Sequence, residues 1–244
     1  MIMNRTQHSK TEIAGKAVSR ETWDRLVLYR DLLIKWQNAF NLVSPKSLPE
    51  AWERHFEDSA QLAALIPPEA KVIVDMGSGA GFPGMVLAIM NKDLEVHLVE
   101  SDEKKTQFLR TVSRETHTPV IIHTSRIETM TGQVRPDLVT ARALASLSQL
   151  LDYCMPWARD NADLMMLFLK GEMANDEVAA AKNRFKFHYK SIPSITAPDA
   201  PPAPVKAKKA PAKGAKPAAK KKVVPIKKPV GGTILKITDL TIAP

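Results

Sequence analysis

Asp75, Gly77, Gly79 and Gly81 alternate with other residues in VDMGSGAGFPGM, directly after the apolar run Val72, Ile73, Val74. An acidic residue at the end of a buried run, followed by glycines, makes a strand and tight turn leading into a helix, a frame that holds a nucleotide-like ligand. The glycines lack the Cβ that would keep a ligand off the main chain. The helix, expected to start near Phe82, would point unpaired N–H groups at that ligand. Glu100 closes the next apolar run, where a carboxylate can accept both hydroxyls of a ribose. Two more chemical groups follow later runs: Glu128 in SRIE, beside a nucleoside's adenine edge, and Arg142 in ARALASL, where a target base would approach. Their plainer alternatives are a helix-start carboxylate for Glu128 and a surface ion pair for Arg142.

The loop satisfies two templates. Gly79, Gly81 and Gly84 fit G-x-G-x-x-G, which holds the pyrophosphate of a dinucleotide. Asp75, Gly77, Gly79 and Gly81 fit D-x-G-x-G-x-G, the arrangement by which Rossmann-like methyltransferases hold S-adenosyl-L-methionine, whose α-amino group welcomes a carboxylate. Glu100 serves either ligand. A methyltransferase, an NAD(P)-dependent oxidoreductase and a non-enzymatic RNA- or ribosome-assembly-binding scaffold are therefore all on the table. HFEDS, residues 55–59, is a second cluster: His55, Asp58 and Ser59 share a helical face, fit for a general base or, more plainly, for a packing or capping network.

Alternating elements must position these groups. A helix is expected from Ser19 to about Phe40, with Trp23, Leu26, Val27, Leu33 and Ile34 at helical spacing, and a second one after Pro49, with Trp52, Phe56 and Leu62 on one face. Strands are expected at 96–99, 120–122, 138–140, 164–169 and 185–192, and helices at 102–115, 147–157 and 175–183. A last strand spans 233–240. The pattern predicts an α/β fold with a doubly wound, mostly parallel sheet, a C-terminal antiparallel strand pair and an N-terminal helical cap. The expected organisation is a flexible terminus (1–18), the cap (19–66), the ligand-binding core (67–192 with 230–240) and a disordered Lys/Ala/Pro-rich insertion (193–229).

Composition narrows the partners. The chain of 244 residues carries a net charge of +9, but ten lysines and no acidic residue fall between Ala200 and Pro229. The remainder holds 25 basic and 26 acidic residues, so the basicity is local. Such a segment is expected to contact phosphates without reading sequence. The single cysteine, Cys154, excludes an intramolecular disulfide and reads as a core thiol. The histidines lack ligand spacing, so no metal is expected. No apolar run approaches the roughly 20 residues of a membrane span. MIMNRTQHSK has no signal-peptide core, which points to the cytoplasm.

In this order, Asn41-Leu42, HFEDS, VDMGSGAGFPG, Glu100 with Lys104-Lys105 and Phe108-Leu109, SRIE, ARALASL and Lys170-Gly171 resemble one family. It is the guanine-N7 methyltransferases of 16S ribosomal RNA, also called glucose-inhibited division protein B, and the likeness runs from about Trp23 to Leu240. The resemblance implies a Rossmann-like class I methyltransferase. It implies S-adenosyl-L-methionine as cofactor, with contacts at Gly77, Phe82, Ile127, Glu128 and Arg142, and Arg142 orienting the ligand or RNA. It further implies 16S ribosomal RNA or the small subunit as partner and no obligatory general base. The sequence itself does not set the oligomeric state, and a monomer is the expectation. Ala60 and Ala141 depart from the family's usual leucine and serine, and the lysine-rich insertion lies outside its pattern.

Overall fold

The computed structural model describes residues 11–196 and 232–243. The insertion expected to be disordered over 193–229 lies, from residue 197 on, outside the described residues, as do residues 1–10. Its first residues are built into the fold instead, Pro193 ending a strand and Ser194 bonding Asp58 and the Gly232 carbonyl. Residues 11–18, expected to be frayed, instead form a small antiparallel ribbon of β1 (Glu12–Ile13) and β2 (Lys16–Ala17). Strands of two residues carry no periodicity to read. What holds them is tertiary: Ile13 is buried, and the Ala14 N–H donates to Glu57 Oε2 at 2.6 Å.

Helix α1 (Arg20–Gln37) starts at Ser19, whose hydroxyl accepts from the Thr22 N–H, and buries Leu26, Tyr29, Leu33 and Gln37 along one stripe. It ends short of Phe40 because the Gln37 amide bonds the Leu42 and Val43 N–H groups and the Val43 carbonyl, fastening the chain into a turn. The expected second helix is three short pieces: a π-helical turn (Trp52–Glu57), α2 (Asp58–Ala60) and a 3-10 turn (Gln61–Ala64). Beyond it come β3 (Val72–Met76), α3 (Gly84–Met90), β4 (Glu95–Glu100), α4 (Glu103–Glu115) and β5 (Ile121–Thr124). After a 3-10 turn (Ile127–Met130) follow β6 (Leu138–Arg142), α5 (Leu147–Asp160), β7 (Met165–Lys170), α6 (Ala174–Ala181), β8 (Phe185–Pro193) and β9 (Thr233–Ile242). From β4 onward these lie within about three residues of the expected bounds.

Among the described residues the main sheet has seven strands, ordered β5-β4-β3-β6-β7-β9-β8. The first five are parallel and β9 runs antiparallel to both its neighbours, as expected. The chain reverses its direction of travel across the sheet between β3 and β6, which opens a crevice over the carboxyl ends of those strands. Ile73 and Leu98 face one apolar cluster with α1, α3 and α4, whereas Val74 and Val99 face another with α5 and α6. Cys154 lies in the second cluster, and burial pushes its thiol pKa up.

Tyr29 ties the cap to the glycine loop. Its ring stacks on Phe82 at 5.3 Å and meets Phe56 edge-on at 4.9 Å, while its hydroxyl donates to the Ala80 carbonyl. Replacing Tyr29 by Phe keeps the ring and strands that buried carbonyl. The expected outcome is a loss of about 1–3 kcal/mol, read as a lower urea midpoint with an unchanged denaturant slope.

Candidate active site

The glycine loop is held from below. Asp75, at the end of β3, is fully buried; its Oδ1 accepts from Thr140 Oγ1 of β6 at 2.7 Å and its Oδ2 from the Gly84 N–H at 3.2 Å. Burial pushes the Asp75 pKa up to about 6, against the pull of these hydrogen bonds. The helix does not begin at Phe82 and offers no row of free amides. The Gly81 and Phe82 N–H groups bond the Ser78 carbonyl, and α3 starts at Gly84 on the Asp75 carboxylate.

Above the strand ends lies a cleft of about 1030 Å³. Gly77, Gly79, Phe82, Glu100, Ile127, Glu128 and Arg142 line it, so seven of the anticipated site residues meet in one place. Asp75 and Gly81 do not. Asp75 was expected to meet the ligand's amino group, but its carboxylate lies beneath the loop. At Gly81 (φ +98°) a Cβ would stand 2.5 Å from the Tyr29 hydroxyl, so this glycine makes room for the cap. At Gly77 a Cβ would collide with Leu144. Gly79 differs: its φ is +57° and the space where a Cβ would stand is open apart from the Gly77 carbonyl at 3.9 Å. Glu100 fixes this part of the loop, accepting from the Gly79 N–H at 2.9 Å and the Asp102 N–H at 2.8 Å.

His55 is the residue whose role sequence reasoning left open. Arg142 Nη1 donates to His55 Nδ1 at 2.7 Å and to the Arg54 carbonyl at 3.1 Å, in the π-helical turn, and its guanidinium lies 5.1 Å from the centre of the Phe82 ring. An arginine only donates, so Nδ1 is the acceptor and the proton sits on Nε2. Nε2 then donates to Ser47 Oγ at 3.0 Å, and Ser47 Oγ donates to the Ser44 carbonyl at 2.8 Å. Burial and the nearby Arg142 and Arg54 charges lower the His55 pKa to about 3, so the ring is neutral. Its one lone pair is occupied by Arg142. His55 therefore positions that arginine rather than taking a proton, and Arg142 is no surface ion pair. HFEDS carried the signal, but its partners Ser47 and Arg142 stand 8 and 87 residues away.

Lys170, marked in the sequence only through the resemblance, and Glu177 also line the cleft. Lys170 Nζ donates to the Ala145 carbonyl at 2.8 Å and pairs with Glu177 Oε2 at 2.7 Å, which accepts from the Leu147 N–H at 2.6 Å. This clamp holds the turn after β6, where Ala143 has φ +50° and Leu144 packs on Gly77.

The family described as rRNA small subunit methyltransferase G matches residues 22–201. The chain belongs to this family. A ribosomal RNA small subunit methyltransferase G from Paramagnetospirillum magneticum is 50% identical over 189 residues, covering 76% of this chain and 89% of that protein. One from Rhodospirillum centenum is 48% identical, covering 76% and 84%. Among solved structures, Pyrococcus horikoshii TYW2 in complex with MeSAdo shares the fold, with a TM-score of 0.50 at 12% identity over 75% of this chain and 62% of that one. Membership in a methyltransferase family decides between the templates of the glycine loop, and the oxidoreductase alternative falls away. Among the described residues, no cluster of His, Cys, Asp or Glu has metal-holding geometry and no helix is long and apolar enough to cross a membrane.

Two outcomes follow from this geometry. Gly79→Val places a branched side chain in the open space of the loop and at an unfavourable φ; the expected result is at least about a tenfold loss of S-adenosylhomocysteine affinity by calorimetry, in a protein whose far-ultraviolet dichroism is unchanged. The His55 pKa is depressed in the fold, so its contribution to stability is present above its ordinary value near 6.5 and is lost as the pH falls toward about 3. Denaturation from pH 7 to 4 is expected to show His55→Gln losing less stability than the unaltered chain.

Proposed function

We propose that this methyltransferase transfers the methyl group of S-adenosyl-L-methionine to N7 of a guanine in small-subunit ribosomal RNA, acting as a monomer in the cytoplasm. The observation that carries the reading is the open, ligand-facing Gly79 beside Glu100 at the topological switch point, in a chain of the rRNA small subunit methyltransferase G family. The cleft fits the cofactor. Gly79 leaves room for close approach to the main chain. Glu100 uses each oxygen once on a backbone N–H, and the remaining lone pairs suit ribose hydroxyls. Ile127 and Glu128 line the same end, one apolar and one acceptor, as an adenine requires.

The bound cofactor supplies an electrophilic methyl group on a sulfonium. Guanine N7 carries an exposed lone pair and no proton, so the displacement requires alignment and no base. The neutral, occupied His55 agrees with that requirement. Arg142, clamped by His55, the Arg54 carbonyl and the Phe82 face, orients ligand or RNA from a fixed position. A guanine whose N7 must reach a methyl group held over the strand ends is expected in a loop or swung out of its stack. The test is incubation with methyl-labelled cofactor and small subunits from cells lacking the enzyme. Label in N7-methylguanosine after nucleoside analysis is expected; no label, or label on another atom, would overturn the proposal.

A further inference from the structure

We propose that Asp58 reads the target base: its free carboxylate oxygen accepts from the N1–H and 2-amino donors of guanine while N7 faces the methyl donor. The inference rests on the methyl-transfer reading above. For N7 to meet the methyl group, the guanine must enter with its five-membered ring toward the cofactor. Its N1–H and 2-amino groups, on the six-membered ring, then point to the far wall. Two adjacent donors there call for a carboxylate.

Among the described residues, Asp58, Glu100, Glu128 and Glu177 are the carboxylates lining the cleft. Glu100 stands at the end of β4, where the lone pairs left beside its two backbone N–H donors are those assigned to the cofactor's ribose. Glu128 follows β5, at the same cofactor end. Glu177 is paired with Lys170 and bonded to the Leu147 N–H. Asp58 is different on both counts. Its Oδ1 accepts from Gln61 Nε2 at 2.8 Å, Ser194 Oγ at 2.9 Å and Thr196 Oγ1 at 3.2 Å, while Oδ2 makes no hydrogen bond within the described residues. Three neutral donors on one oxygen fix the carboxylate and leave the other oxygen unused.

Position agrees with chemistry. Ser194 directly follows β8, and its N–H bonds the carbonyl of Gly232, just before β9. That anchor lies across β3, β6 and β7 from Glu100, several strand spacings of about 4.8 Å each, so roughly 15 Å or more separates the two ends. A planar base has room between them. Arg142, which feels the Asp58 charge, marks the midpoint at the end of β6. A fixed carboxylate at this wall also rejects adenine, which presents a lone pair at N1 and has no 2-amino group.

The test varies the substrate and the side chain together. Small-subunit RNA is prepared with guanine or inosine at the target, inosine lacking only the 2-amino group, and kcat/KM is measured for each. The unaltered enzyme is expected to favour guanine by at least about tenfold, the loss usual for a charge-assisted hydrogen bond. In Asp58→Ala that ratio is expected to fall to within about twofold of unity, with S-adenosylhomocysteine affinity unchanged. Ser194→Ala removes an anchor but keeps Oδ2, so it is expected to retain the preference. If Asp58→Ala turns over too slowly, the ratio is read from binding of the two RNAs to protein loaded with S-adenosylhomocysteine. Equal use of guanine and inosine by the unaltered enzyme, or an undiminished preference in Asp58→Ala, overturns the proposal. Failure of the unaltered enzyme to methylate guanine would instead strike the methyl-transfer reading itself.

Discussion

The buried carboxylate of Asp75 is the constraint on which the cleft depends. It sits at the end of the central strand and joins that strand to its neighbour through Thr140 and to the start of α3 through the Gly84 N–H. A carboxylate wholly removed from water is tolerated only when hydrogen-bonded, and removing one of its donors leaves a desolvated acceptor unsatisfied, at a cost of about 1–3 kcal/mol or more. Gly84 must be glycine for the same reason: a Cβ there would come within 2.8 Å of the carboxylate. The turn between these two fixed points, Gly77 to Phe82, has little freedom left.

From that turn the cap and the cleft are built around one ring. Phe82 stacks on Tyr29 and His55, meets Phe56 edge-on and carries the Arg142 guanidinium. Core packing and ligand-site geometry are therefore the same set of contacts. Such rigidity suits the proposed methyl transfer, whose acceptor atom needs no deprotonation and whose barrier would be lowered by alignment. The half-buried arginine makes its hydrogen bonds to neutral partners, His55 and a backbone carbonyl, and feels the Asp58 and Asp75 carboxylates only at a distance. Its remaining N–H groups thus stay available to a ligand carboxylate or an RNA phosphate.

Much of this was legible in the chain. Val72 to Val74 read as a buried strand because a parallel strand covered on both faces must be apolar throughout. The strand and helix alternation gave the parallel sheet, and Glu100, Glu128 and Arg142 line one crevice because they end or follow its strands. Gly79 was legible in the chain only as one of several loop glycines. The sequence does not distinguish a glycine that opens onto free space from Gly81, which makes room for the Tyr29 hydroxyl, since both simply lack a Cβ. The ribbon at residues 12–17 was invisible because two-residue strands have no period.

What the sequence by itself determined is therefore the periodic part: element order, the sheet's two buried faces, and the glycine loop with acidic and basic residues at strand ends. These follow from local spacing and from the family marks. Only the tertiary structure decided what Asp75 and His55 do. Asp75 turned from a ligand contact into the anchor beneath the loop, because packing buries its carboxylate completely against Thr140 and Gly84 and keeps it out of the cleft. Of the two readings of His55, the base falls away and the packing network stands, because a residue 87 positions away takes its lone pair. A side chain's chemistry depends on which partners occupy its donors and acceptors, and for both residues the deciding partners are fixed by the packing of distant segments.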